Sequence, residues 1–241
     1  MPDWNDAGLV LRVVKQSERN AVVTFFTQNN GRTSGLCKGA FSKTNTGVFE
    51  TGNLLRIRKT ARLEEHLGTV SADLVTAYAA DVLNDADRLL LLSSACALLT
   101  MLPESEPDEA LFTKTVSFLT VLPFDGFWEA YARWELFFLT AIGFGPDLSV
   151  CALTGKKDGL AYVSPKTGRA VCAEAAGVWK DRLLPIPAFL MTDDGLAGNA
   201  DEIKKALALT GFFLENHAAK TLDCRIPFAR KRLFERIMVK R

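Results

Sequence analysis

The chain has 241 residues, 48% of them hydrophobic and 24% charged, which excludes a disordered tail protein and a mini-scaffold without a core. Its 29 basic and 28 acidic side chains leave a formal net charge of +1, but residues 1–70 hold 10 basic and 6 acidic residues, 71–150 hold 3 and 12, and 151–241 hold 16 and 10. This basic, acidic, basic order suits different surfaces for different partners, and Arg12 to Arg62 alone concentrates 10 cations against 2 acids.

The start, Met1-Pro2-Asp3-Trp4-Asn5-Asp6, is acidic where an export signal needs basic residues ahead of an apolar stretch, so no export is expected. From Gly8 to about Leu74 short β-type runs alternate with turn residues. Leu9 to Val14 and Ala21 to Thr27 are rich in β-branched and aromatic residues, and Asn29-Asn30-Gly31 before Arg32 to Cys37 is a hairpin signal. Leu54 to Leu63 alternates, with Leu55, Ile57, Ala61 and Leu63 on one face and Arg56, Arg58, Thr60 and Arg62 on the other, which predicts one core face and one cationic face. His66 to Val75 supplies a fifth run, and five strands within about 70 residues fit a small closed barrel of the OB type.

Beyond this point long helical segments take over, so the fold class is α+β with two domains: residues 1–76 as a β-barrel and 77–241 as a helical bundle. Asp87 to Leu102 is apolar nearly all round, as in a helix enclosed by others, and its uncharged part, Leu89 to Leu102, is 14 residues long, short of the roughly 20 needed to cross a bilayer. Ser105-Glu106-Pro107-Asp108 opens a helix to about Leu122, and Asp125 can cap the next, which Gly143-Phe144-Gly145-Pro146 ends. Residues 147–190 are less regular and predict a small inserted β-ribbon at about 147–175, around Leu160 to Val163. Asn199 to Glu202 reads as a capping box for a helix to about Ala218, and Pro227 opens a last helix to Val239.

Enzyme motifs are scarce. No phosphate-binding loop or His-Glu-x-x-His is present, and a hydrolase would depend on His66 or His217 as its base. Cys37, Cys96, Cys151, Cys172 and Cys224 form no dense disulfide pattern, which points to a reducing cytoplasm. Cys151 and Cys172 flank the ribbon, but Thr154, Arg169 and Ala175 stand where C-x2-C partners would, so two sulfurs cannot complete a tetrahedral zinc site.

Two basic patches are candidate binding surfaces. Arg56, Arg58 and Arg62 repeat at even offsets along one strand face, adjacent members about 6.6 Å apart, close to the phosphate spacing of an extended single strand. Lys38, Lys43 and Lys59 add charge, and Phe41 and Phe49 are candidates for base stacking. In the last helix Arg232, Arg236 and Lys240 recur every four residues, with Arg225, Arg230, Lys231 and Arg241 nearby. The alternatives are a solvated barrel face and cations that complement a helix dipole.

The chain resembles the RecO family of bacterial recombination mediators, most closely its alphaproteobacterial branch. The resemblance runs from about Trp4 to the end. It is carried by Gly8-Leu9-Val10-Leu11, Asn30-Gly31-Arg32, Lys38-Gly39, Arg62 to Gly68, Arg133-Trp134-Glu135-Leu136, Gly143 to Leu148, Cys151-Ala152-Leu153-Thr154-Gly155, Tyr162 to Val171 and Asp181-Arg182-Leu183-Leu184-Pro185. It implies an OB-fold joined to a helical domain with a ribbon that holds zinc in some members, in a cytoplasmic, nucleoid-associated repair factor that needs no cofactor and catalyses no reaction.

Such proteins bind single- and double-stranded DNA and anneal complementary strands. With RecR, and in many bacteria RecF, they help RecA displace the single-strand binding protein SSB, whose acidic tail they engage. Combined with the charge pattern, this gives Arg32, Lys38, Lys43, Arg56, Arg58, Lys59 and Arg62 as expected DNA contacts and Arg225, Arg230, Arg232 and Arg236 as an expected partner surface. The competing reading from another class is an OB-fold adaptor that binds proteins alone.

Overall fold

The computed structural model describes residues 3–63, 67–192 and 197–239. They divide into two compact units, Met1–Pro123 with Pro227–Leu233, and Phe124–Ile226 with Phe234–Arg241. No helix among the described residues is long and apolar enough to cross a membrane.

The first unit opens with five strands: β1 (Asp3–Lys15), β2 (Ala21–Thr27), β3 (Gly31–Cys37), β4 (Leu54–Thr60) and β5 (Thr69–Thr76). They close into a barrel in the order β1-β2-β3-β5-β4, with β1 pairing to both β2 and β4 and a parallel contact of Leu36 with Thr69 sealing the wall. This is the five-stranded OB arrangement expected from the sequence. Its length allows β1 to serve two neighbours: residues 3–9 pair with β4 and residues 8–15 with β2, the latter with an irregularity between Val10 and Arg12. Alternation delivers Val10, Ala21, Val23, Phe25, Leu55, Ile57 and Val70 to one interior cluster. Phe49 joins that core and is 9% exposed, so the structure removes it from the stacking candidates.

Helices α1 (Tyr78–Val82), α2 (Ala86–Leu99) and α3 (Glu109–Val121) follow within this unit. Asp85 caps α2 through the amides of Asp87 and Arg88, and Asp108 caps α3 through Leu111 N–H, as the acids at the helix starts suggested. They cover part of the barrel's outer wall: the Phe26 and Phe112 rings lie 5.6 Å apart. Left open on that wall are Arg12 and Val14 of β1, Val22 and Thr24 of β2, and Ser34 and Leu36 of β3.

The second unit is built on α4 (Phe127–Ala141), which starts after Gly126 in a left-handed conformation and not from a side-chain cap at Asp125. A three-stranded ribbon follows, β6 (Leu160–Val163), β7 (Ala170–Cys172) and β8 (Leu184–Pro185), with a short α5 (Ala173–Ala176) between the last two. Helix α6 (Ala200–Phe213) begins with the expected reciprocal capping box of Asn199 and Glu202, both bonds at 3.0 Å. A π-helical turn, Leu214–Ala218, leads to α7 (Ala219–Thr221), and α8 (Phe228–Val239) ends the described chain.

A buried carboxylate joins α4 to α6. Glu135, fully buried, accepts hydrogen bonds from Tyr131 Oη at 2.9 Å and Thr210 Oγ1 at 2.5 Å. Thr210→Val keeps the shape and removes one of these donors, so urea unfolding should show a loss of about 1.5–3 kcal/mol, the worth of a buried bond to a charged group.

His217 stacks on Phe213, ring centroids 4.9 Å apart, and its Nε2–H donates to the Pro165 carbonyl at 3.1 Å. That nitrogen is thus spent on a backbone carbonyl and not on a carboxylate or thiol. His66 lies outside the described residues.

Candidate nucleic-acid interface

The cationic stripe on β4 is there, but its charges are not equally free. Arg56 and Arg58 are exposed on the outer face, and Arg62 is exposed just after the strand. Arg58 is held by a carboxylate from the start of β1: its Nε donates to Asp3 Oδ1 at 2.9 Å and its Nη2 to Asp3 Oδ2 at 2.5 Å. These bonds hold the Asp3 carboxyl below its ordinary value and raise the guanidinium's, so the pair persists at neutral pH and Arg58 is released as pH falls through the depressed carboxylate value. Arg56 stands in register beside Asp73 of β5, which offsets part of its field.

Two of the expected contacts face elsewhere. Lys59 occupies the inward parity of β4 with Leu55 and Ile57, is 8% exposed, and donates from Nζ to Thr33 Oγ1 at 2.7 Å. Arg32 is half-buried and tied down: Nε donates to the Leu102 carbonyl at 2.6 Å and Nη1 to Glu104 Oε1 at 3.1 Å. Both cations organise the first unit's own packing.

The opposite end of β1 carries a denser group. Asn5, the register partner of Arg58, and Lys15 are separated by ten residues of strand, a contour of about 33 Å at ~3.3 Å per residue. There the β1–β2 turn meets the loop after β3: Phe41 N–H donates to the Arg19 carbonyl at 3.2 Å, and Gly39 N–H donates to Asn20 Oδ1 at 3.0 Å. These bonds bring exposed Lys15, Arg19, Lys38 and Lys43 to one rim around Phe41, whose ring is 47% exposed and lies 5.9 Å from Lys15 Nζ. None of the four has an ion-pair partner among the described residues.

Beside this rim lies the open wall described above, where Arg12 flanks a hydroxyl pair, Thr24 and Ser34, bonded at 3.0 Å. In chemical terms this is a cationic rim, an exposed aromatic face and a neutral polar floor, the components that hold a single strand without reading its sequence. The sequence pattern brought out Lys38, Lys43 and Phe41 but not Arg12, Lys15 and Arg19. The count of 10 cations to 2 acids across Arg12 to Arg62 was the available signal for them.

The second predicted surface is less uniform. Arg225 and Arg232 are exposed, and Arg232 lies over the Phe228 ring at 5.9 Å. Arg236 is exposed and makes interactions of its own. Arg230 is 3% exposed, which takes it out of any surface patch. It shares the buried helix face with Leu233 and Ile237, three and seven residues on. Lys240 and Arg241 lie outside the described residues.

In the ribbon the two cysteines stand among residues that are not metal donors. Cys172 N–H donates to Cys151 Sγ at 3.3 Å, and Thr154 Oγ1 is 3.6 Å from Cys172 Sγ, while the Arg169 guanidinium is 3.9 Å from Asp147. Two sulfurs, a hydroxyl and a cation do not fit a tetrahedral zinc ion. The same face forms an apolar hollow of about 470 Å³ lined by Leu153, Pro165, Val171 and Trp179, with Lys166 and Arg182 on its rim and Arg182 over the Trp179 ring at 5.3 Å.

Comparison with known proteins places the whole chain. Residues 1–78 match the family model for the N-terminal part of recombination protein O, and residues 83–224 match that for its C-terminal part. The DNA repair protein RecO of Rhodospirillum rubrum is 38% identical over 244 residues, covering 98% of this chain and 97% of that protein. Those of Rhodospirillum centenum and a Ruegeria species are 43% and 42% identical, each across 97% of this chain and 94% and 97% of their own.

Proposed function

The chain belongs to the RecO family of DNA repair and recombination proteins, and from that premise we propose that it binds single- and double-stranded DNA through the β1–β2 end of the barrel and anneals complementary strands. The observation that supports this reading is the rim of Lys15, Arg19, Lys38 and Lys43 around exposed Phe41. Cations without internal partners exchange condensed counterions for phosphates, which makes binding strong at low salt and indifferent to base identity. Screening the phosphates of two strands at once lowers their repulsion and lets complementary bases meet. No nucleophile or nucleotide hydrolysis is required, so the protein acts as a mediator and not as a catalyst.

Arg56, Arg58 and Arg62, toward the other end of β1, serve as secondary contacts, with Arg58 held in reserve by Asp3. Asp3→Asn is expected to tighten binding of a labelled oligonucleotide about two- to fivefold at pH 7, the worth of one exposed charge contact. Unchanged affinity would remove Arg58 from the interface.

In the cell the reading places this protein beside RecR, and RecF where it is present, in helping RecA gain access to SSB-coated strands at the nucleoid. The acidic, phenylalanine-ended tail of SSB needs a cationic rim beside an apolar hollow. The hollow rimmed by Lys166 and Arg182 matches that need better than the last helix, whose Arg230 is buried. The test is annealing of complementary strands pre-coated with SSB, with and without RecR. Acceleration by the intact chain supports the reading, whereas a chain that captures RecR but leaves annealing at the background rate is the protein-only adaptor.

A further inference from the structure

Lys59 does more than miss the outer face. It points into a cavity of about 250 Å³ at the barrel end opposite Lys15, lined by Trp4, Asn29, Asn30, Thr33, Lys59, Ala61, Ser105 and Pro107. Register explains the company: Trp4 and Lys59 are direct partners across β1 and β4, and Thr33 enters from β3. The segment after α2 forms the remaining wall, fixed by Ser105 N–H donating to the Arg32 carbonyl at 2.9 Å.

The ammonium is poorly matched in this setting. The Lys59 residue is 8% exposed, its ammonium's hydrogen-bond partner is one neutral hydroxyl, and it has no ion pair among the described residues. Burial lowers its pKa against the raising field of Glu104, whose carboxylate is already paired with Arg32 at 3.1 Å. Asp6, the other carboxylate near the cavity, is occupied by four donors: Ala7 N–H, Asn29 N–H and the side-chain amides of Asn29 and Asn30, at 2.7–2.9 Å. An ammonium that uses one of three N–H donors on the protein leaves two for what fills the cavity, water or an anion.

The other walls narrow the anion's class. Trp4 offers a ring, Asn29 and Asn30 offer amide oxygens, and Thr33 and Ser105 offer hydroxyls. The volume lies just below the roughly 300–1,000 Å³ of pockets that take drug-sized ligands. We propose that this cavity seats the 5′-phosphorylated terminal nucleotide of a DNA strand, with the phosphate on Lys59 and the base against Trp4. The proposal rests on the DNA-binding reading and adds recognition of a strand end to it.

The test compares a 15-nucleotide oligomer with and without a 5′-phosphate, binding to the full chain at fixed salt, with thymidine monophosphate and thymidine as competitors. The phosphorylated oligomer should bind at least about tenfold more tightly, as expected of one desolvated charge-assisted contact. Lys59→Met should abolish the preference while leaving affinity for the unphosphorylated oligomer unchanged, and the monophosphate should compete where thymidine does not. Trp4→Leu, which leaves the ammonium in place, should weaken competition by the monophosphate and serves if the Lys59 variant fails to fold.

Equal binding of the two oligomers overturns the proposal and leaves the outer interface standing. Competition by the monophosphate without any end preference assigns the cavity to free nucleotides and overturns the strand-end assignment. Failure of both oligomers to bind overturns this proposal and the DNA-binding reading together.

Discussion

Replacing Lys15, Arg19, Lys38 and Lys43 together with alanine is expected to lower affinity for a single-stranded oligonucleotide by at least about tenfold at low salt. It should also flatten the plot of log K against log salt by about 0.7 for each phosphate no longer neutralised. The four side chains are exposed and lack ion pairs among the described residues, so circular dichroism and thermal unfolding should remain close to the parent. The matching double variant at Arg56 and Arg58 should lose less, because Asp3 already holds one of those guanidiniums and Asp73 lies beside the other. A larger loss from Arg56 and Arg58 than from the four-residue rim would return the interface to the β4 stripe.

Gly31→Ala is expected to be the most damaging small substitution in the first unit, at about 3 kcal/mol or more. Gly31 closes the β2–β3 hairpin at φ +67, where any other residue is strained by about 1–2 kcal/mol. An added Cβ would also lie 2.4 Å from the backbone of Glu106, in the segment that bonds to Arg32 and walls the cavity beside Lys59. Backbone on both sides leaves no flexible side chain to yield. For a chain of this size the midpoint of thermal unfolding should fall by roughly 6–12 °C. Gly155→Ala separates the two causes, since Gly155 has φ +71 but nothing within 4 Å of the added carbon, so it should cost about 1 kcal/mol.

The barrel was legible in the sequence because its signals are local. Asn29-Asn30-Gly31 sets a turn, and Leu55, Ile57 and Ala61 set a face. The capping residues Asp108 and Asn199 likewise act within one helical turn. The site was less legible because a cation's availability depends on acids far away in the chain. Arg58 meets Asp3 across 55 residues and Arg32 meets Glu104 across 72, and no periodicity announces either.

Two misplaced cations were nevertheless readable. Lys59 falls on the inward parity set by Leu55, Ile57 and Ala61, and Arg230 shares helical spacing with Leu233 and Ile237. In both cases the charge suggested a surface where the spacing specified an interior. Parity distinguishes less well between Phe41 and Phe49, which lie in the irregular loop between β3 and β4, so only the tertiary fold separates the exposed ring from the buried one.

If the barrel holds DNA by its phosphates and not by its bases, the most direct measurement is a fluorescence anisotropy titration of the intact chain with two labelled oligonucleotides of unrelated sequence across a salt series. Both should bind, with log K falling linearly in log salt at one common slope. Affinity that ignores salt, or the absence of binding to either oligonucleotide at low salt, would contradict phosphate docking on this barrel.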